Sequence, residues 1–134
     1  MQTDAPRAHV PPALRAAAQA QADALLREVA GMRAVLAATA DGFELAAALA
    51  AAVDTARLAA LSSSIAAIGE VVSAEAGMGD SRSVIVETAG GLVVVQRVPR
   101  ADVSCVLTAM ASAEALLGQV KFQLAAAASA LAKA

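Results

Sequence analysis

Side chains able to carry chemistry are scarce in this sequence, which holds one histidine, His9, and one cysteine, Cys105, in 134 residues. A general-base triad or a metal centre needs imidazole, thiolate or carboxylate groups that converge. His9 lies in the opening MQTDAPRAHVPP among unpatterned neighbours, so no histidine-based catalysis and no metal site is expected. Cys105 sits in the apolar run VSCVLTAM and reads as a small buried hydrophobe; a lone cysteine closes no intramolecular disulfide. The stretch Gly77-Met78-Gly79-Asp80 has glycines in the manner of a phosphate loop. It lacks the following Lys-Ser or Lys-Thr and precedes a predicted strand, not a helix, so it reads as a turn. Asp41 and Glu44 have the spacing of a carboxylate pair, but they flank a predicted hairpin tip where turn chemistry alone accounts for them. Arg82, Arg97 and Arg100 gather near one end of a second hairpin and read as a solvated face with some capacity for an acidic partner. These residues predict no enzyme, no cofactor and no small-molecule substrate.

The elements that position these residues are built from small aliphatic side chains. The chain is 59% hydrophobic and 16% charged, with two Phe and no Trp or Tyr, so its core depends on close backbone approach. Its length suits one domain that buries roughly two-thirds of its unfolded surface. A net charge of -2 excludes the broad basic face that nucleic acid requires. The longest uncharged stretch, Leu58 to Gly69, falls well short of the roughly 20 residues of a membrane span, and the N-terminus lacks a secretory pattern. No membrane span and a cytoplasmic location are therefore expected.

Residues 1–12 carry no apolar period and are expected to form a flexible tail ahead of a single domain over 13–134. Pro11-Pro12 predicts entry into a helix over Ala13 to Ala30, with Gly31 at its stop. Asp41-Gly42 predicts a hairpin joining strands at Ala34–Ala40 and Phe43–Leu49. From Thr55 to Ala76 the period becomes helical. Leu58, Leu61, Ile65, Ile68 and Val72 form a bulky stripe expected to pack on a sheet. A second, mainly small stripe of Ala60, Ser64, Ala67 and Val71 lies about 100° around the helix, where it suits close approach to another helix.

The stretch SVIVETAGGLVVVQRV, Ser83 to Val98, predicts two strands about Gly90-Gly91. One face carries Val84, Val86, Val93 and Val95, and the other Ile85, Leu92, Val94 and Val98, so both faces require cover. A fifth strand over Val103–Met110 and a closing helix over Ala113–Ala132, with Leu117, Val120, Leu124 and Leu131 on one stripe, complete the order α-β-β-α-β-β-β-α.

This order, the TADG turn, the helix ending in EAGMGDSRSVIVET, the GGLVVVQRV strand and the LLGQVKFQL closing helix together resemble the Roadblock family, named for dynein light chains. The likeness spans about Ala22 to Leu131. It implies an α+β fold in which a five-stranded antiparallel sheet lies between a central helix on one face and the terminal helices on the other.

The resemblance further implies a homodimer in which Arg82, Val84, Val86 and Thr88 belong to a strand paired with its symmetry mate. The helices carrying Ala60, Ser64, Ala67 and Val71 would then pack side by side. It implies a non-enzymatic scaffold that binds a Ras-like small GTPase and modulates its nucleotide cycle, as in the bacterial branch resembling gliding-motility regulators, with Arg57, Ser63 and Glu70 as partner-binding residues. The alternative within the same family is a nucleotide-independent adaptor in a motor or signalling complex.

Overall fold

Pro11 and Pro12 do start the first helix, because proline at the first helical position gives up no intrahelical hydrogen bond. The structure, a computed structural model, describes residues 10–134; His9 and most of the expected tail lie outside the described residues. Its elements run α1 (Pro12–Glu28), β1 (Met32–Thr39), β2 (Glu44–Leu49), α2 (Thr55–Ala76), β3 (Ser83–Thr88), β4 (Gly91–Val98), β5 (Cys105–Ser112) and α3 (Leu117–Ala132). The element order and the α+β class match the sequence expectation. Val10, expected in the tail, packs instead against the core beside α1.

All strand pairs are antiparallel, and the sheet order is β2-β1-β5-β4-β3. The long-range pairing of β1 with β5 closes the middle and leaves β2 and β3 at the edges. The α1–α3 layer covers one face through Leu14, Leu25, Val94, Leu107, Leu124 and Leu131. The other face is covered by α2, which meets Leu36, Ala38, Val95 and Val106. The two-faced hairpin reading therefore holds for β4, which is buried from both sides, while β3 is half-buried at Ser83 and Val84 and exposed from Ile85 onward.

The hairpin turns also differ from the simplest expectation. In the first, only Gly42 has positive φ, at 98°. Thr39 Oγ1 donates to Asp41 and accepts from the Phe43 N–H, so this is a longer loop with a bulge at Ala37/Ala38 and not a two-residue turn. In the second, Thr88 pairs with Gly91, so Ala89-Gly90 forms the tip and Gly91 belongs to β4.

Candidate functional site

Helix α2 is the element whose sequence periodicity and packing disagree. Asp54 caps it by accepting from the Arg57 N–H at 3.1 Å, and Gly77 ends it in the left-handed conformation at φ 66°. The residues it buries are Ala59, Ser62 and Ala66, not the bulky stripe. In the interior, Thr108 Oγ1 donates to Ser62 Oγ at 2.7 Å, tying the helix to β5. At Gly69 a Cβ would stand 2.7 Å from Val84 Cγ2, so glycine is what lets the helix lie so close to β3. Small residues win this seam because a helix presenting only Cβ atoms and a hydroxyl approaches a sheet more closely than one presenting leucine.

The expectation that Leu58, Leu61, Ile65, Ile68 and Val72 form core is thereby corrected. Leu58 and Ile65 flank the seam half-buried, whereas Leu61, Ile68 and Val72 are 51%, 62% and 61% exposed. The stripe is centred roughly 100° around the helix from Ala59, Ser62 and Ala66, so only its near edge meets the sheet and its outer part faces away. Val71 is exposed beside it, as are Ala60, Ser64 and Ala67. Among the described residues, α2 alone is long and apolar enough to cross a membrane by length and composition. Its apolar excess is this outward face, and its inner face is bonded to the sheet through Ser62.

The sheet edges are treated unequally. On β2, the outward carbonyls of Leu45 and Ala47 accept from Arg15 Nη1 at 3.3 Å and Gln19 Nε2 at 2.8 Å, so α1 shields that edge. No such donors meet β3 among the described residues. The Arg97 N–H donates to Arg82 O at 3.0 Å, and Thr88 pairs with Gly91. Alternation therefore turns the backbone groups of Ser83, Ile85 and Glu87 outward. The α2 face and this open edge meet at a groove of about 530 Å³ lined by Ile68, Gly69, Val72, Met78 and Val84. Of the expected strand contacts, Arg82, Val86 and Thr88 are exposed and Val84 is half-buried.

The partner-binding trio is not brought together. Arg57 is exposed near the start of α2, while Ser63 and Glu70 line a separate cavity of about 190 Å³ with Arg97, Ser104 and Cys105. There Arg97 Nη1 lies 2.7 Å from Glu70 Oε2 and donates to Ser81 O at 3.0 Å. Burial pushes the Cys105 thiol up to about 11, which leaves it protonated and inert, as its apolar context predicted. The three arginines divide their roles. Arg97 serves α2, Arg82 lies exposed just ahead of β3, and Arg100 forks onto Asp102 at 2.9 and 2.8 Å while donating to the backbone oxygens of Leu131, in the last turn of α3, and of Ala134 beyond it. Among the described residues no group of three or more His, Cys, Asp or Glu could hold a metal.

Hydrogen bonds from Arg100 and the Val103 N–H lower the Asp102 carboxyl from 3.8 to about 2. Because the folded value lies below the unfolded one, this contribution to stability is complete above roughly pH 4 and is lost as pH falls through about 2. Asp102→Asn is expected to flatten stability across that acid window and leave its pH dependence near neutrality unchanged, as read by denaturant midpoints over a pH series.

Residues 18–108 match the Roadblock/LC7 domain model. Among solved structures, the chain is similar to MglB in a tetrameric arrangement, at 25% identity and TM-score 0.81, covering 92% of this chain and 91% of that one. It is similar in fold to the gliding protein MglB of Thermus thermophilus, at 23% identity and TM-score 0.80, with 92% of each chain covered. A Roadblock/LC7 domain from Streptomyces avermitilis shares 19% identity at TM-score 0.76, covering 84% of this chain and 92% of its own. Among curated proteins, none matches the sequence. With the match extending from the middle of α1 into β5, and the full helix and strand order shared with those structures, the chain belongs to the Roadblock/LC7 domain family.

Proposed function

We propose that this protein is a cytoplasmic, non-enzymatic homodimeric scaffold that binds a Ras-like small GTPase and modulates its nucleotide cycle or localisation. The observation that carries the reading is the apolar outer face of α2, continuous with the unshielded edge of β3. An edge strand reading SVIVE is an aggregation hazard unless a partner covers it, and a second copy supplies the same strand.

The outward groups at Ser83, Ile85 and Glu87 are symmetric about Ile85. An antiparallel two-fold pairing therefore sets Ile85 against Ile85 of the partner subunit and Val84 against Val86 of the partner subunit. Leu61, Ile68, Val71 and Val72 then close against their counterparts, joining Ala60, Ser64 and Ala67 in the helix contact, with Arg82 and Thr88 at the ends of the paired strands.

Similarity to gliding proteins, together with family membership, supports a GTPase as the third component. The paired α2 helices form its platform. Arg57 lies in the exposed first turn, while Ser63 and Glu70 act from the flank of the platform. Discrimination arises because GTP orders the switch segments and GDP releases them, so only one state matches a rigid surface.

The test is equilibrium binding to the Ras-like GTPase of the same source, loaded with GDP or with a non-hydrolysable GTP analogue, alongside GTP turnover. Binding confined to the analogue supports nucleotide sensing. Equal binding in both states converts the reading to that of a constitutive adaptor, and no binding in either state removes it.

A further inference from the structure

On the opposite sheet face from α2, a cleft of about 490 Å³ opens between the last turns of α3, the segment leading into β3 and the trailing end of β4. Its size is within the range of about 300–1,000 Å³ usual for small-molecule sites. The cleft exists because α3 presents Ala125, Ala128 and Ala132 along this side, none of which reaches beyond Cβ. Larger side chains at these positions would fill the space against β4, as Leu124 and Leu131 do on the adjacent side of the helix.

Charge in the cleft runs against that of the whole protein. The chain is net -2, yet Arg82, Arg97 and Lys133 line the cleft against one carboxylate, Asp80. Arg82 and Lys133 form no side-chain hydrogen bond or ion pair with the described residues. Arg97 is half-buried and its Nη1 is already directed to Glu70 and Ser81 O. The negative end of the α3 dipole would repel an anion here, but Arg100 donates to the carbonyls of Leu131 and Ala134 at 2.6 and 2.9 Å and offsets it.

We infer that this cleft binds a small anion carrying a short apolar tail, with its carboxylate or phosphate head between Arg82 and Lys133 and its tail along the alanine wall of α3. The hydroxyl of Ser129 and the amide of Gln96 add hydrogen-bonding capacity beside the head. This site goes beyond the scaffold function: its alanine wall and Lys133 lie across the sheet from the α2 platform, while Asp80, Ser81 and Arg82 are shared with the rim of the α2–β3 groove. Lys133→Gln and Ala125→Phe, which lie outside that groove, therefore separate the cleft from the dimer contact.

The experiment is a ¹H–¹⁵N NMR titration of the full chain with octanoate, octyl phosphate, inorganic phosphate and octanol, below the aggregation limits of the amphiphiles. Octanoate or octyl phosphate should give saturable shifts confined to amides of Asp80–Arg82, Gln96–Arg97 and Ala125–Lys133, and their relative affinities assign the head group. Arg82→Gln and Lys133→Gln should each weaken binding by about tenfold, since a lost charged hydrogen bond is worth about that factor. Ala125→Phe, at an exposed position, should block the tail while the spectrum stays native. Absence of saturable shifts with either anionic amphiphile overturns the site. An equal response to octanol overturns the role of the cations, and inorganic phosphate binding as tightly as octyl phosphate overturns the role of the alanine wall.

Discussion

Gly91→Ala is expected to cost about 4 kcal/mol, a large share of the roughly 5–15 kcal/mol that holds a domain together. Gly91 opens β4 at φ 145°, and a Cβ there would lie 2.0 Å from the carbonyl oxygen of Ala111 and 2.9 Å from the Ser112 carbonyl carbon. Both neighbours are backbone of β5, so no rotamer change relieves the clash. The β4–β5 ladder would have to separate at the Gly91↔Ser112 and Leu92↔Ala111 pairs. Gly90→Ala is the matched control: Gly90 is adjacent in sequence, has no atom within 4 Å of the new methyl and does not adopt positive φ. That substitution should be neutral or stabilising by up to about 1 kcal/mol, through the unfolded chain. Denaturant midpoints of the two variants measure the contrast, and equal midpoints would refute the close approach of β4 to β5.

The second large effect concerns association. Ile68→Asp with Val72→Asp should leave the fold intact, because both side chains already point to solvent in the isolated chain. The same pair should abolish the proposed homodimer. Two subunits contribute four such side chains, each worth about 1.5–3 kcal/mol on burial, so dimerisation should weaken by about ten-thousandfold or more. Sedimentation would then report a species of 13.2 kDa at concentrations where the parent chain is expected at twice that mass. Circular dichroism should be unchanged. A variant that still sediments as a dimer would place the interface elsewhere, and a parent chain that is monomeric would remove the dimer altogether.

The order of elements was legible because each carries a local signal: Pro11-Pro12 before α1, Asp41-Gly42 between β1 and β2, the three-and-four spacing of α2, and the double valine runs of β3 and β4. Their ends were less so. The closing helix begins at Leu117 and not Ala113, and β5 runs to Ser112, since strand length follows from pairing with β1 and β4. The family resemblance, carried by glycines and element order, was available for the same reason as the fold.

What residue order determined alone is the alternation of apolar faces, and with it the need for cover on both sides of β4. Direction was left to tertiary structure. Periodicity specifies that Leu61, Ile68 and Val72 share an arc of α2, but it cannot say whether that arc meets the sheet or the solvent. The choice followed from distance: Ala59, Ser62, Ala66 and Gly69 allow a closer approach to the sheet, with a buried hydroxyl pair at Thr108, than the bulky stripe does. The cleft under α3 was hidden likewise, because alanines in a helix read as helix propensity until the neighbouring strand shows what they fail to fill.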